Sequence, residues 1–164
     1  MQHLIKLLAI TFLSVFIFSS CNNEKKDLST EYDQIVEKYV EIWNTGQFEG
    51  IHDVLSEDFE IRSSPQFESE KGIDTFKESI INVRKSYPDF HIKVNEKIYS
   101  TNSAAARWTV TATGKNGKEL NIMGMSIIHF IDGKIKDEWI SNNDLSWLQQ
   151  LGYTIEHPST DKEG

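Results

Sequence analysis

Cysteine occurs once in these 164 residues, at Cys21, so no disulfide can form within the chain. Proline is nearly as scarce: three in all, of which Pro88 marks a point where a helix must stop. Basic residues are outnumbered, 17 against 25 acidic, for a formal charge of -8. That balance excludes binding to nucleic acid through its phosphates, which needs clustered Lys and Arg. It equally disfavours electrostatic attachment to anionic lipid. No glycine-rich phosphate loop is present, since "KNGK" at 115–118 reads as a hairpin turn, and no G-x-S-x-G elbow occurs. His52, His91 and His129 fall on separate elements without metal-ligand spacing, so no metal site is expected.

Long apolar runs are absent except at the start. "MQHLIKLLAITFLSVFIFSSC" carries Lys6, an apolar run from Leu7 to Phe18, and Ser19 and Ser20 before the cysteine. This is the order of a secretory signal peptide, and the run is too short to span a bilayer. A small residue followed by the only cysteine resembles the end of a bacterial lipoprotein signal, which implies acylation of Cys21. Residues 1–20 are therefore expected to be the signal and polar residues 21–29 a tether, in a membrane-anchored protein of the bacterial cell envelope. Removing residues 1–20 takes away Lys6 and no acid, so -8 becomes -9.

What remains is one domain over residues 30–153, with a disordered tail at 154–164. "STEYDQIVEKYVEIWNTGQ" has Ile35, Val36, Tyr39, Val40, Ile42 and Trp43 at helical spacing, with Gly46 after its end. "FEGIHDVLS" reads as a second, shorter helix that includes Leu55. "DFEIRSS" reads as a short strand, and "SSPQFESEKG" as a loop. A third helix is expected from about Ile73 to Lys85. From Phe90 the period becomes two, giving strands in "FHIKVNEKIYS", "SAAARWTVTATG", "ELNIMGMSIIHFI" and "KIKDEWIS". Asp132–Gly133 is the strongest hairpin signal. A short C-terminal helix over roughly 144–151 stops at Gly152. The pattern predicts an α+β fold in which a curved antiparallel sheet packs against three N-terminal helices, leaving one end open as a pocket.

Simple two-residue registry about Asp132–Gly133 pairs Phe130 with Ile135, Ile128 with Asp137 and Ser126 with Trp139. It sends Glu138, Ile140 and Asn142 to the other face, with Met123, Met125, Ile127 and His129. Glu138 then reads as an ordinary solvated strand carboxylate. His129 is either a wet imidazole near the strand edge or an acid–base candidate. Arg107 interrupts an apolar strand and should reach a carboxylate or carbonyl, and Arg62 is a candidate for the pocket rim. Tyr39, Trp43, Trp108, Met125 and Trp139 suit either a core or the lining of a hydrophobic pocket.

"VEIWNTGQFEGIHDVLSEDFEI", "AAARWTV", "FIDGKIKDEWIS" and "LSWLQQLG" occur in the order and spacing of SnoaL-like polyketide (ester) cyclases. These form a branch of the nuclear transport factor 2-like superfamily, to which ketosteroid isomerase and limonene epoxide hydrolase also belong. The resemblance covers about residues 30–153. It implies a cone-shaped fold and cofactor-free acid–base chemistry, in which an aspartate moves a proton at a carbon activated by carbonyls. The family's aspartate falls four residues after Trp139, where this chain has Asn143, with Asp144 next to it. Asp144 is thus either a displaced acid/base or a helix N-cap beside an amide that cannot move protons. The family's frequent histidine after the first strand is Arg62 here.

Three classes of function follow. The domain is a cyclase- or isomerase-type enzyme acting on a hydrophobic small molecule, a binding protein that kept the cone without the chemistry, or an interaction module. The last rests on the fold's habit of pairing sheet surfaces, which also implies a homodimer.

Overall fold

The computed structural model describes residues 28–63, 68–154 and 156. Cys21, the signal, the first seven residues of the tether and most of the tail lie outside them. Helix α1 (Ser29–Thr45) buries Tyr32, Ile35, Val36, Tyr39 and Ile42, the i, i+3, i+4, i+7 stripe of one helical face. It ends at Gly46, whose φ of 69° is the left-handed cap that glycine adopts without steric cost. Helix α2 is a single turn, Ile51–Val54. Leu55, expected on that helix, instead opens strand β1 (Leu55–Arg62), because its fully buried side chain belongs to the sheet's core face. The expected loop before α3 contains a two-residue strand, β2 (Glu70–Lys71). Helix α3 (Ile73–Ser86) buries Ile73, Phe76 and Ile80 and stops before Pro88.

Strands β3 (His91–Tyr99), β4 (Ser103–Thr113), β5 (Glu119–Ile131) and β6 (Lys134–Asn142) follow, then helix α4 (Asp144–Leu151). The sheet order is β2-β1-β6-β5-β4-β3. Every pairing is antiparallel except β1 with β6, which is parallel. The fold is α+β, as expected. One face of the sheet is buried beneath α1, α2 and α3, where Tyr39, Phe59 and Phe76 pack with ring centroids 5.3 to 6.1 Å apart. Such pairs add about 0.5–1.5 kcal/mol each beyond the area they bury.

Two amide side chains tie helices to strand backbones. Asn44 on α1 accepts from the Ile92 N–H at 2.6 Å and donates to its carbonyl at 2.9 Å, so edge strand β3 is held by a helix. Gln150 on α4 makes the same paired contact with Asn121 of β5, at 2.8 and 3.1 Å.

The β5–β6 hairpin determines everything that follows. Its turn has positive φ at both central residues, 48° at Asp132 and 73° at Gly133, which is the two-residue geometry that matches strand twist. Phe130 faces Ile135, as simple registry requires. The next pair is His129 with Asp137, so Lys136 is an extra residue in β6. This bulge shifts the remainder by one: Ile128 faces Glu138, Ile127 faces Trp139 and Ser126 faces Ile140. A one-residue shift reverses every side chain beyond it. Glu138, Ile140 and Asn142 therefore join Ser126 and Ile128 on the inner face, and Asp137 and Trp139 go outside.

Candidate functional site

The inner face of β3 to β6, together with α1, α3 and α4, encloses a cavity of about 170 Å³. A single water needs only ~10–15 Å³, so the space admits a molecule much larger than water. Its wall is mostly apolar, including Val36, Val40, Val94, Val110 and Ile128. Trp43, Trp108 and Trp147 supply flat aromatic surface. The polar lining is confined to Tyr39, Ser126, Glu138 and Asn142 apart from the indoles, and no Lys, Arg or His takes part.

Glu138 is the singular group. Its side chain is 5% exposed, not solvated as its place in an alternating strand suggested. The correction follows directly from the bulge at Lys136. The Tyr39 hydroxyl donates to Glu138 Oε2 at 2.6 Å, joining α1 to β6. Burial pushes the carboxyl's pKa up, while hydrogen bonds from Tyr39 and Ser126 pull it back. Burial and the neighbouring Glu138 charge push the Tyr39 phenol well above its ordinary value, so it stays a neutral donor. The Trp108 indole N–H donates to Ser126 Oγ at 2.9 Å. The result is a carboxylate in an apolar, desolvated site, the setting that moves a carboxyl towards working pH for proton transfer.

The sequence-derived candidates divide sharply. Tyr39, Trp43 and Trp108 line the cavity, whereas Asp144, Asn143, His129, Arg62, Met125 and Trp139 do not. Asn143 is the N-cap of α4, and its Oδ1 accepts from the Ser146 N–H at 3.0 Å. Asp144 is therefore neither an N-cap nor a cavity residue; it is the first helical residue and is exposed. His129 lies on the outer face, its Nδ1 2.7 Å from Asp137 Oδ1. Met125, also outside, is 55% exposed. Arg62 sits 5.2 Å over the outward-facing Trp139 ring and meets Glu60 at 2.5 Å. Arg107 reaches a carboxylate as expected, Glu96 at 3.4 Å.

Glu138, Ser126, Asn142 and Trp147 were missed as site residues. The alternation of Glu138 with Ile140 and Asn142 is visible in the sequence and places the three on one face. Nothing in "KIKDEW" marks which residue bulges, and so which face that is. Among the described residues, no group of three or more His, Cys, Asp or Glu could hold a metal ion.

The model of the SnoaL-like polyketide cyclase family matches residues 33–151. No protein with a curated description matches the sequence. Among solved structures, a candidate polyketide cyclase from Bacillus cereus ATCC 10987 is 28% identical, with TM-score 0.67 over 75% of this chain and 81% of its own. One from Acidithiobacillus ferrooxidans is 19% identical, with TM-score 0.67 over 76% and 96%. A candidate hydroxylase from Streptomyces galilaeus is 23% identical, with TM-score 0.63 over 79% and 90%. Likeness at these last two identities speaks for the fold alone. A shared fold does not by itself fix the reaction.

Proposed function

Since the chain belongs to the SnoaL-like polyketide cyclase family, we propose that its cavity binds a hydrophobic small molecule and performs cofactor-free acid–base chemistry with Glu138 as the proton-transferring group. The observation that carries this reading is the burial of one carboxylate in an apolar chamber, hydrogen-bonded to a tyrosine at 2.6 Å. Asp144, the residue next to the family's expected position, is exposed to solvent and does not line the chamber.

The roles follow from placement. Glu138 takes a proton from a carbon activated by a carbonyl; the C–H electron pair forms the new C=C bond as the carbonyl π pair moves onto the oxygen, giving an enolate. Asn142, on the same inner face, has an amide that can donate to that oxygen. Tyr39 holds the carboxylate in place. The apolar walls and the three indoles fold the ligand so that its reacting atoms lie close, which is most of what a ring closure or isomerisation requires. Export and an acyl anchor on Cys21 would put this chemistry at the cell envelope.

The rival reading is a binding protein of the same fold without turnover, and the two share the ligand test. A screen of aromatic and polyketide-like ring compounds should give tryptophan quenching and a thermal shift. The same compounds should bind the Glu138→Gln protein. If no compound binds, both readings fall.

A further inference from the structure

Gly124 lies near the middle of β5, on its buried inner face and between the partner strands β4 and β6. Glycine weakens the interior of a strand, and Gly124 is not among the glycines of positive φ, so the backbone does not call for it. The neighbour that does is Trp108, which faces Gly124 directly from β4. A Cβ at position 124 would stand 2.2, 2.4 and 2.7 Å from Cη2, Cζ2 and Cζ3 of the indole. Only glycine leaves that space to the ring.

Those three distances also give the attitude of the ring. A Cβ meeting the indole at its edge would be far from the third atom when close to the first two. Distances this similar mean that the Cβ direction runs into the face of the six-membered ring. The indole therefore lies flat on the β5 backbone. One face covers Gly124, and the other is turned into the cavity that Trp108 lines. Its Nε1 donates to Ser126 Oγ at 2.9 Å, two residues along the same strand, which keeps the ring from swinging away.

The helical side of the chamber is different in kind. Val36, Val40 and Val83 are aliphatic and accept flat and puckered rings alike. A fixed aromatic face discriminates: a conjugated ring lays all its atoms against it, whereas a saturated ring offers only its axial hydrogens. Asn142 stands in the same row, across Gly124 from Trp108, and brings an amide to the border of this flat surface.

We propose that Trp108, seated on Gly124 and pinned by Ser126, is the specificity-determining residue of the cavity, selecting ligands with a planar conjugated ring that carries a hydroxyl or carbonyl. This rests on the reading of the cavity as a small-molecule site and names the class of molecule it takes. It does not depend on what Glu138 does to the ligand.

The test is a calorimetric titration of the full-length protein with two probes of one carbon skeleton, planar 2-naphthol and its saturated counterpart decahydro-2-naphthol. The wild type should bind the planar probe about three- to tenfold more tightly, the worth of one aromatic pair. Trp108→Leu keeps an apolar wall without the ring, and should reduce the preference to less than about twofold while still binding the saturated probe. Gly124→Ala, which displaces the indole and removes no functional group, should abolish the preference too. Added to Trp108→Leu it should change nothing further, since no ring is left to displace. Should Gly124→Ala fail to fold, the wild type and Trp108→Leu decide alone. Equal binding of the two probes by the wild type would overturn the proposal, as would a preference that survives in Trp108→Leu. Binding of neither probe would refute the ligand cavity itself, and the platform with it. Nothing is turned over in this measurement, so the acid–base role of Glu138 can fail while the preference stands.

Discussion

Tyr39 and Glu138 are separated by 99 positions in the chain, yet the tyrosine hydroxyl meets the carboxylate at 2.6 Å. Both side chains are buried, one from the first helix and one from the last strand. The bond therefore closes the fold across the cavity and holds a potential charge where water cannot solvate it. A group arranged in that way leaves a signature in stability as well as in reactivity.

That signature is a pH dependence of defined sign. The folded-state pKa of Glu138 is raised, so between the ordinary carboxyl value and the raised one the native state binds a proton that the unfolded chain has released. Stability contributed by this group falls as pH rises through that window. Asp33, Asp58, Glu60 and Asp89 are lowered, chiefly by hydrogen bonds from Lys97, Lys136, Ser69 and Thr113 respectively, and act in the opposite sense. Their contribution is present above the ordinary range and is lost in acid. Glu138→Gln removes only the first effect. In urea melts it should be more stable than the wild type near neutral pH, with the gap closing as pH falls through that window and gone below about 4. A gap that stays constant with pH would contradict the buried carboxylate.

Capping of α4 is assigned to Asn143. Asn143→Ala should cost roughly 0.5–2 kcal/mol in the same melts, while Asn143→Asp should retain the cap. Asp144→Asn should change stability by no more than the ~0.3–1 kcal/mol of a charge at a helix N-terminus. Equal losses in Asn143→Ala and Asp144→Ala would mean that the cap is shared.

How much of this was legible in the sequence depended on what fixes each feature. Helix α1, helix α4 and the β5–β6 turn were readable because local chemistry determines them: a helical stripe ended by Gly46, a helix stopped at Gly152, and an Asp-Gly pair between apolar runs. Leu55 was misread because a single helical turn offers too little periodicity to mark where it gives way to a strand. The cavity was legible only in part. Tyr39, Trp43 and Trp108 announce themselves as large residues on buried faces, but Glu138 was hidden by the extra residue at Lys136. That bulge reflects how β6 fits between β5 and β1, a tertiary fit that residues 134–138 do not encode alone.

Anchoring is proposed through an acyl group on Cys21. The full-length protein expressed in a bacterium should fractionate with membranes, and Cys21→Ala should release it. A Cys21→Ala protein that remains with the membranes would rule out the acyl anchor.

Self-association is proposed through the outer face of the sheet. Ile98, Met125, Ile127 and Trp139 are all exposed there, and β5 sets Ile127 against Trp139. The protein lacking its signal should sediment as a dimer. Met125→Glu combined with Ile127→Glu should sediment as a monomer with its melting temperature little changed. A monomeric wild type at micromolar concentration would contradict the proposal.

The central claim is that Glu138 moves a proton on a carbon, and isotope exchange reads this without requiring the full reaction to be known. A ring ketone found to bind in the ligand screen is incubated with the protein in deuterated water, and loss of its activated C–H signal is followed by NMR. The account predicts deuterium incorporation with the wild type and a rate lower by ~10²–10⁴-fold with Glu138→Gln, the range for losing general acid–base catalysis. Asp144→Asn should exchange at the wild-type rate. Equal exchange with wild type and Glu138→Gln, or loss of exchange in Asp144→Asn alone, would contradict it.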